Sequence, residues 1–151
     1  TVNIDSDAPY TGKKPEASST LEEVREEIAV LVNEVRRENG VQELAIDERL
    51  MIAAQNCSDQ KFTWHHNQDE CEAVAASGYP YGFGSNLTVF TGAAVSDIAQ
   101  RAVDNWVKSP GHFRTMTDPD ATDLGVGVTV EDGVTYCYLF LGNPKTNNPY
   151  G

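Results

Sequence analysis

Trp106-Val107-Lys108-Ser109-Pro110-Gly111-His112-Phe113-Arg114-Thr115-Met116 reads as the end of one helix and the start of another. Ser109 is a cap residue, and Pro110 suits a first helical turn. Gly111 permits close approach. His112 then falls in the first turn, near unpaired backbone N–H groups and the positive helix end. That setting favours a neutral imidazole able to serve as metal ligand, base or hydrogen-bond partner. The plain alternative is a tight helix junction holding a structural histidine.

Upstream, Ser96 is placed to cap a helix reaching Lys108, with Ile98, Ala99, Ala102, Val103 and Trp106 on its apolar side. Downstream, Leu124, Val126, Val128 and Val130 alternate with Gly125, Gly127 and Thr129, which predicts a strand. Glu131-Asp132-Gly133 is a turn. The return strand from Val134 to Phe140 is apolar on both faces, as a sheet covered by helices on both sides requires.

Toward the N-terminus, Thr20-Leu21-Glu22-Glu23 is a capping box. Leu21, Val24, Ile28, Leu31, Val32 and Val35 follow at helical spacing, and Asn39-Gly40 ends the run. Asp47 caps a second helix over residues 48–60, packed through Leu50, Met51, Ala53, Ala54 and Cys57. Phe62-Thr63-Trp64-His65-His66 concentrates further informative side chains. A short helix is expected over 69–77, and residues 78–84 form a Gly- and Tyr-rich loop that either lines a cleft or packs on the surface. Residues 85–90 have strand character. Residues 1–19 read as a flexible arm or linker, 20–142 as the folded domain, and 143–151 as a C-terminal tail.

Composition narrows the function. The chain has 151 residues, enough for one sizeable core. Its 23 acidic and 11 basic residues give a net charge of -12, which removes the basic footprint of a nucleic-acid binder. No apolar run approaches a membrane span. The three cysteines, Cys57, Cys71 and Cys137, contain no CxxC pair. They allow one disulfide, with Cys57–Cys71 the local pairing, or three thiols. The sequence starts at Thr1 with no initiator methionine or apolar leader, as a processed secreted product or a trimmed fragment does.

From about Leu21 to Phe140 the chain resembles the CAP superfamily, the SCP-like extracellular domain of cysteine-rich secretory proteins, venom allergens, plant pathogenesis-related proteins and many secreted bacterial proteins. The resemblance begins in Leu31-Val32-Asn33-Glu34-Val35-Arg36-Arg37 and continues through Leu44, Asp47, Leu50 and Ala54. It is strongest in Trp106-Val107-Lys108-Ser109-Pro110-Gly111-His112, followed by Leu124-Gly125-Val126-Gly127, the form found in bacterial relatives.

The resemblance implies an α+β fold, a three-layer α-β-α sandwich with a central, mainly antiparallel sheet. It also implies a cleft with two histidines and two acidic groups, which holds Zn²⁺ in some members. His112 matches the second family histidine. His65 or His66 matches the first, with His65 favoured. In Gly84-Ser85-Asn86-Leu87, Ser85 stands where many relatives carry glutamate, and Ser109 stands near the place of a second one. Asp69, Glu70 and Glu72 are nearby acids that no sequence rule puts in the cleft.

The resulting expectation is a secreted or cell-surface, non-enzymatic binding module with His65, His66, Ser85 and His112 in its cleft. No cofactor is required; Zn²⁺ on His65 and His112 is an optional occupant. The expected partner is a small molecule, lipid, peptide or glycan, or a cell-surface partner. The competing expectations are a metal-dependent hydrolase and a structural module of a larger surface protein.

Overall fold

A computed structural model describes residues 20–151. The arm placed at 1–19 lies outside the described residues. The elements run α1 (Leu21–Glu38), β1 (Ala45–Ile46), α2 (Glu48–Asp59), α3 (Asn67–Ala76), β2 (Tyr81–Thr91), α4 (Val95–Lys108), α5 (Pro110–Met116), β3 (Asp123–Glu131) and β4 (Val134–Asn147). The sheet order is β1-β3-β4-β2. Only the short β1–β3 pairing is parallel; β3–β4 and β2–β4 are antiparallel.

Helices cover both faces. Leu124, Val126 and Val128 of β3 and Cys137, Leu139 and Leu141 of β4 pack against α1 and α4. The intervening residues Tyr138 and Phe140 pack with Leu50, Ala53, Ala54 and Cys57 of α2, Val74 of α3 and Leu87 of β2. This is the three-layer α+β sandwich. The alternation of strand side chains is what feeds two cores from one pair of strands.

The Gly-rich opening of β3 has a steric cause. A Cβ on Gly125 would overlap the Leu50 backbone, and one on Gly127 would overlap the Ala54 carbonyl. Both glycines let α2 lie directly on β3. Beyond Leu124, β1 no longer covers the outer edge of β3, and side chains close it instead. Gln55 bonds both Val128 N–H and Val128 C=O, Arg25 Nε donates to Val126 O, and Val126 N–H donates to Met51 Sδ. An exposed strand edge is thereby blocked without another strand.

The local signals largely hold. Thr20 and Glu23 exchange both capping-box bonds, and Asp47 caps α2. Asp132 and Gly133 have φ of 53° and 77°, the pair of positive values a tight hairpin turn needs. Three expectations change, and the cysteine alternatives resolve. Helix α4 starts at Val95 behind Ala94, so Ser96 is inside the helix and caps nothing. Tyr81–Gly84 is the start of β2, not loop, because β4 runs long enough to pair with it. Residues 143–147, assigned to the tail, belong to β4. The rest is docked: Asn148 is 4% exposed and its side-chain amide donates to Cys71 O. Cys57, Cys71 and Cys137 are all free thiols.

Candidate functional site

Helix α5 carries His112, and three contacts fix where it sits. Trp106, 1% exposed, anchors the end of α4. The Asn86 amide donates to His112 O at 2.9 Å and ties the first turn to β2. At the far end, the buried Arg36 guanidinium of α1 donates to Met116 O at 2.9 Å and Asp118 O at 3.0 Å. A fully buried cation is sustained here by hydrogen bonds to backbone carbonyls.

Ser109 precedes α5 but makes no side-chain cap bond. Its hydroxyl lies 2.8 Å from His112 Nδ1. The usual contribution of a serine cap is given up, and the hydroxyl orients an imidazole instead. Burial first, then the neighbouring His65, lower the His112 pKa, so the ring is neutral at pH 7.

His65 stands in the α2–α3 connection. Its ring centroid is 6.4 Å from that of His112, with the planes 33° apart. Its Nδ1 lies 2.8 Å from Glu70 Oε2, and Tyr138 OH donates to the same oxygen at 2.8 Å. Glu70 is 2% exposed. Burial pushes its carboxyl pKa up, but the hydrogen bonds from His65 and Tyr138 outweigh that and leave it lowered. Burial, followed by Glu70, raises the pKa of the Tyr138 phenol, which keeps it a donor. An ionised carboxylate only accepts, so His65 carries its proton on Nδ1 toward Glu70.

Sequence reasoning named Glu70 as a nearby acid with no rule to place it in the cleft. The signal was its place in the first turn of a helix starting at Asn67, five residues after His65. It became informative only once Tyr138 arrived from β4.

Ser85 of β2 does come to this place: its Oγ is 3.4 Å from His65 Nδ1. A cavity of about 290 Å³ lined by His65, Asn67, Glu70, Cys71, Phe83 and Ser85 opens beside the ring. His112 faces His65 without lining that cavity. His66, grouped with the cleft by sequence, is not brought to it. Its ring stacks on Phe62 at 3.9 Å and its Nδ1 is 3.6 Å from Asp69, at the residue preceding α3.

The thiols are poor nucleophiles. Burial pushes both Cys57 and Cys137 up to about 12, and burial also raises Cys71. As for a metal, His65 and His112 have Nδ1 engaged and Nε2 to offer. Among the described residues no three His, Cys, Asp or Glu side chains converge as a metal-holding group. Two imidazoles on one tetrahedral zinc ion would bring their centroids to about 5 Å, so these rings stand roughly 1 Å too wide.

Comparison with known proteins gives a consistent picture. The family model described as CAP, cysteine-rich secretory protein family, matches residues 30–143. The uncharacterized protein YkwD of Bacillus subtilis strain 168 is 27% identical over 154 residues, covering 93% of this chain. The chain spans only 57% of that protein's length. An outer surface protein from Borrelia burgdorferi superposes with a TM-score of 0.67 at 14% identity, covering 83% of this chain and 96% of that one. NaASP2, solved with Zn²⁺, superposes with a TM-score of 0.63 at 16% identity, covering 84% and 86%. Among the described residues no helix is long and apolar enough to cross a membrane.

Proposed function

This chain belongs to the CAP, or cysteine-rich secretory protein, family, and we propose that it is a secreted or cell-surface, non-enzymatic binding domain with His65, Ser85 and His112 at its cleft. The supporting observation is how the polar groups are shared between the two imidazoles. Acyl transfer needs a hydroxyl, an imidazole and a carboxylate in one line. Here the carboxylate of Glu70 serves His65, while the short serine contact, from Ser109, serves His112. Ser85 meets His65 at the nitrogen already protonated toward Glu70, so that nitrogen offers it no base. The parts suit ligand contact and do not assemble a nucleophile.

The test is turnover. Purified protein incubated with ester, peptide and glycoside substrates, with and without added Zn²⁺, is expected to give rates equal to the blank. Metal-dependent hydrolysis that disappears in His112→Ala would overturn the reading.

Zn²⁺ capture is the second reading, favoured by the two free Nε2 atoms and by the zinc in NaASP2. His65 and His112 would hold the ion after closing by roughly 1 Å, with water or ligand filling the remaining positions. Bound there, zinc would act as a Lewis acid. Calorimetric titration is expected to show one weak site, lost in both His65→Ala and His112→Ala. A tight site, or one indifferent to either change, contradicts this assignment.

A further inference from the structure

The separation that is wide for a metal ion suits a different occupant. An oxygen atom hydrogen-bonded at about 2.8 Å to one nitrogen of each ring, with a tetrahedral angle between them, places the ring centroids about 6–6.5 Å apart. The observed separation is 6.4 Å. We infer that the cleft, read as a binding site above, takes a neutral ligand hydroxyl between His65 Nε2 and His112 Nε2, with Ser109 as the positioning residue that makes His112 the donor.

The polarity of the hydrogen bonds follows from the chain's own groups. Glu70 receives Nδ1–H of His65, so Nε2 of the neutral His65 ring carries a lone pair and can only accept. Ser109 has no cap bond to maintain, and its O–H is free to donate to His112 Nδ1. Nε2 of His112 then carries the proton and donates. A hydroxyl can donate to the first ring and accept from the second through a single atom. The continuous sequence is Tyr138 O–H to Glu70, His65 Nδ1–H to Glu70, ligand O–H to His65, His112 Nε2–H to the ligand oxygen, and Ser109 O–H to His112.

This arrangement also selects against other groups. A carboxylate offers only acceptors and would face the His65 lone pair, and the net charge of -12 adds a repulsive field. An ammonium offers only donors and would face the His112 N–H. The adjoining cavity of about 290 Å³ adds Asn67 and Ser85 as polar contacts and Phe83 as an apolar wall. That is room for one sugar ring or the head of an aliphatic alcohol.

The experiment is long-range ¹H–¹⁵N NMR of the histidine rings in chelator-treated protein, titrated separately with N-acetylglucosamine, octanol and sodium acetate. The free protein is expected to show His65 protonated on Nδ1 and His112 on Nε2. At least one of the two hydroxyl probes is expected to shift both Nε2 resonances saturably, with the responding arm separating a saccharide from a lipid-like alcohol. Acetate is expected to leave them unmoved. Ser109→Ala should weaken the responding probe roughly five- to tenfold and mix the His112 tautomers, while His65 keeps its own. Ser109→Thr should restore both. His112 protonated on Nδ1, acetate binding as well as the hydroxyl probes, or no response to either hydroxyl probe overturns the inference. None of those outcomes touches the non-enzymatic reading, which falls only on turnover.

Discussion

Beneath α1 and α4, the inward residues of β3 and β4 are Leu124, Val126, Val128, Cys137, Leu139 and Leu141, an apolar layer closed by Trp106. Beneath α2 and α3, the same two strands present Gly125, Gly127, Tyr138 and Phe140, and Tyr138 leads to buried Glu70 and then to His65. The first face gains stability from dry packing. The second gives up side-chain volume on β3 and buries a carboxylate, which is sustained only by its hydrogen bonds. One sheet therefore separates an apolar face from a face that carries polar, titratable side chains. The difference is set by which alternate residues of β3 and β4 are aliphatic.

The largest effect is expected on the dry face. Trp106→Ala removes a fully buried indole and should cost about 4 kcal/mol, read as a lower midpoint in urea denaturation. Gly127→Val tests the other face's close approach. Its branched side chain must displace the Ala54 backbone, at a cost of about 3 kcal/mol. A neutral result at Gly127 would mean that α2 does not lie directly on β3. Glu70→Gln keeps the shape but removes the charge on which His65 and Tyr138 converge, and should cost about 2 kcal/mol.

The two faces should also differ in their response to acid. His112 has a lowered pKa, so below its usual 6.5 the unfolded chain binds a proton that the native ring resists, and stability falls as pH drops. Glu70 is also lowered, from 4.5; its contribution is present above that value and is lost as pH falls through its native pKa. Acid unfolding should therefore begin near pH 6.5 and steepen below 4.5. Glu70→Gln should remove the second part and His112→Phe the first. Identical profiles for both variants and the parent would deny that the polar face carries the linkage.

The smallest effect separates two cap positions. Thr20→Ala breaks a capping box and should cost about 1 kcal/mol. Ser109→Ala breaks no cap bond and should cost less than about 0.5 kcal/mol in a thermal melt. Equal losses would mean that the Ser109–His112 bond contributes as much to stability as a helix cap.

Much of the framework was legible because its signals are local. The capping box at Thr20, the apolar stripes of α1, α2 and α4, and the Asp132-Gly133 turn each depend on residues a few positions apart. The start of β2 at Tyr81 was hidden because Gly82 and Gly84 look like loop residues until β4 extends to Asn147 beside them. The β1 strand is two residues long and exists only through its pairing with β3.

The sequence by itself determined the family fold, with both faces of the β3–β4 hairpin buried, because helical and strand periodicities and turn chemistry are written in neighbouring residues. It also marked His65, Ser85 and His112 as side chains to watch. Only the tertiary structure decided that Ser109 serves an imidazole instead of a helix end, that His66 stacks on Phe62, and that Glu70 is the acid beside His65. Those outcomes depend on which groups meet across α3, β2, β4 and α5. Hydrogen bonds of about 2.8 Å are formed by proximity in space, for which spacing along the chain carries no code.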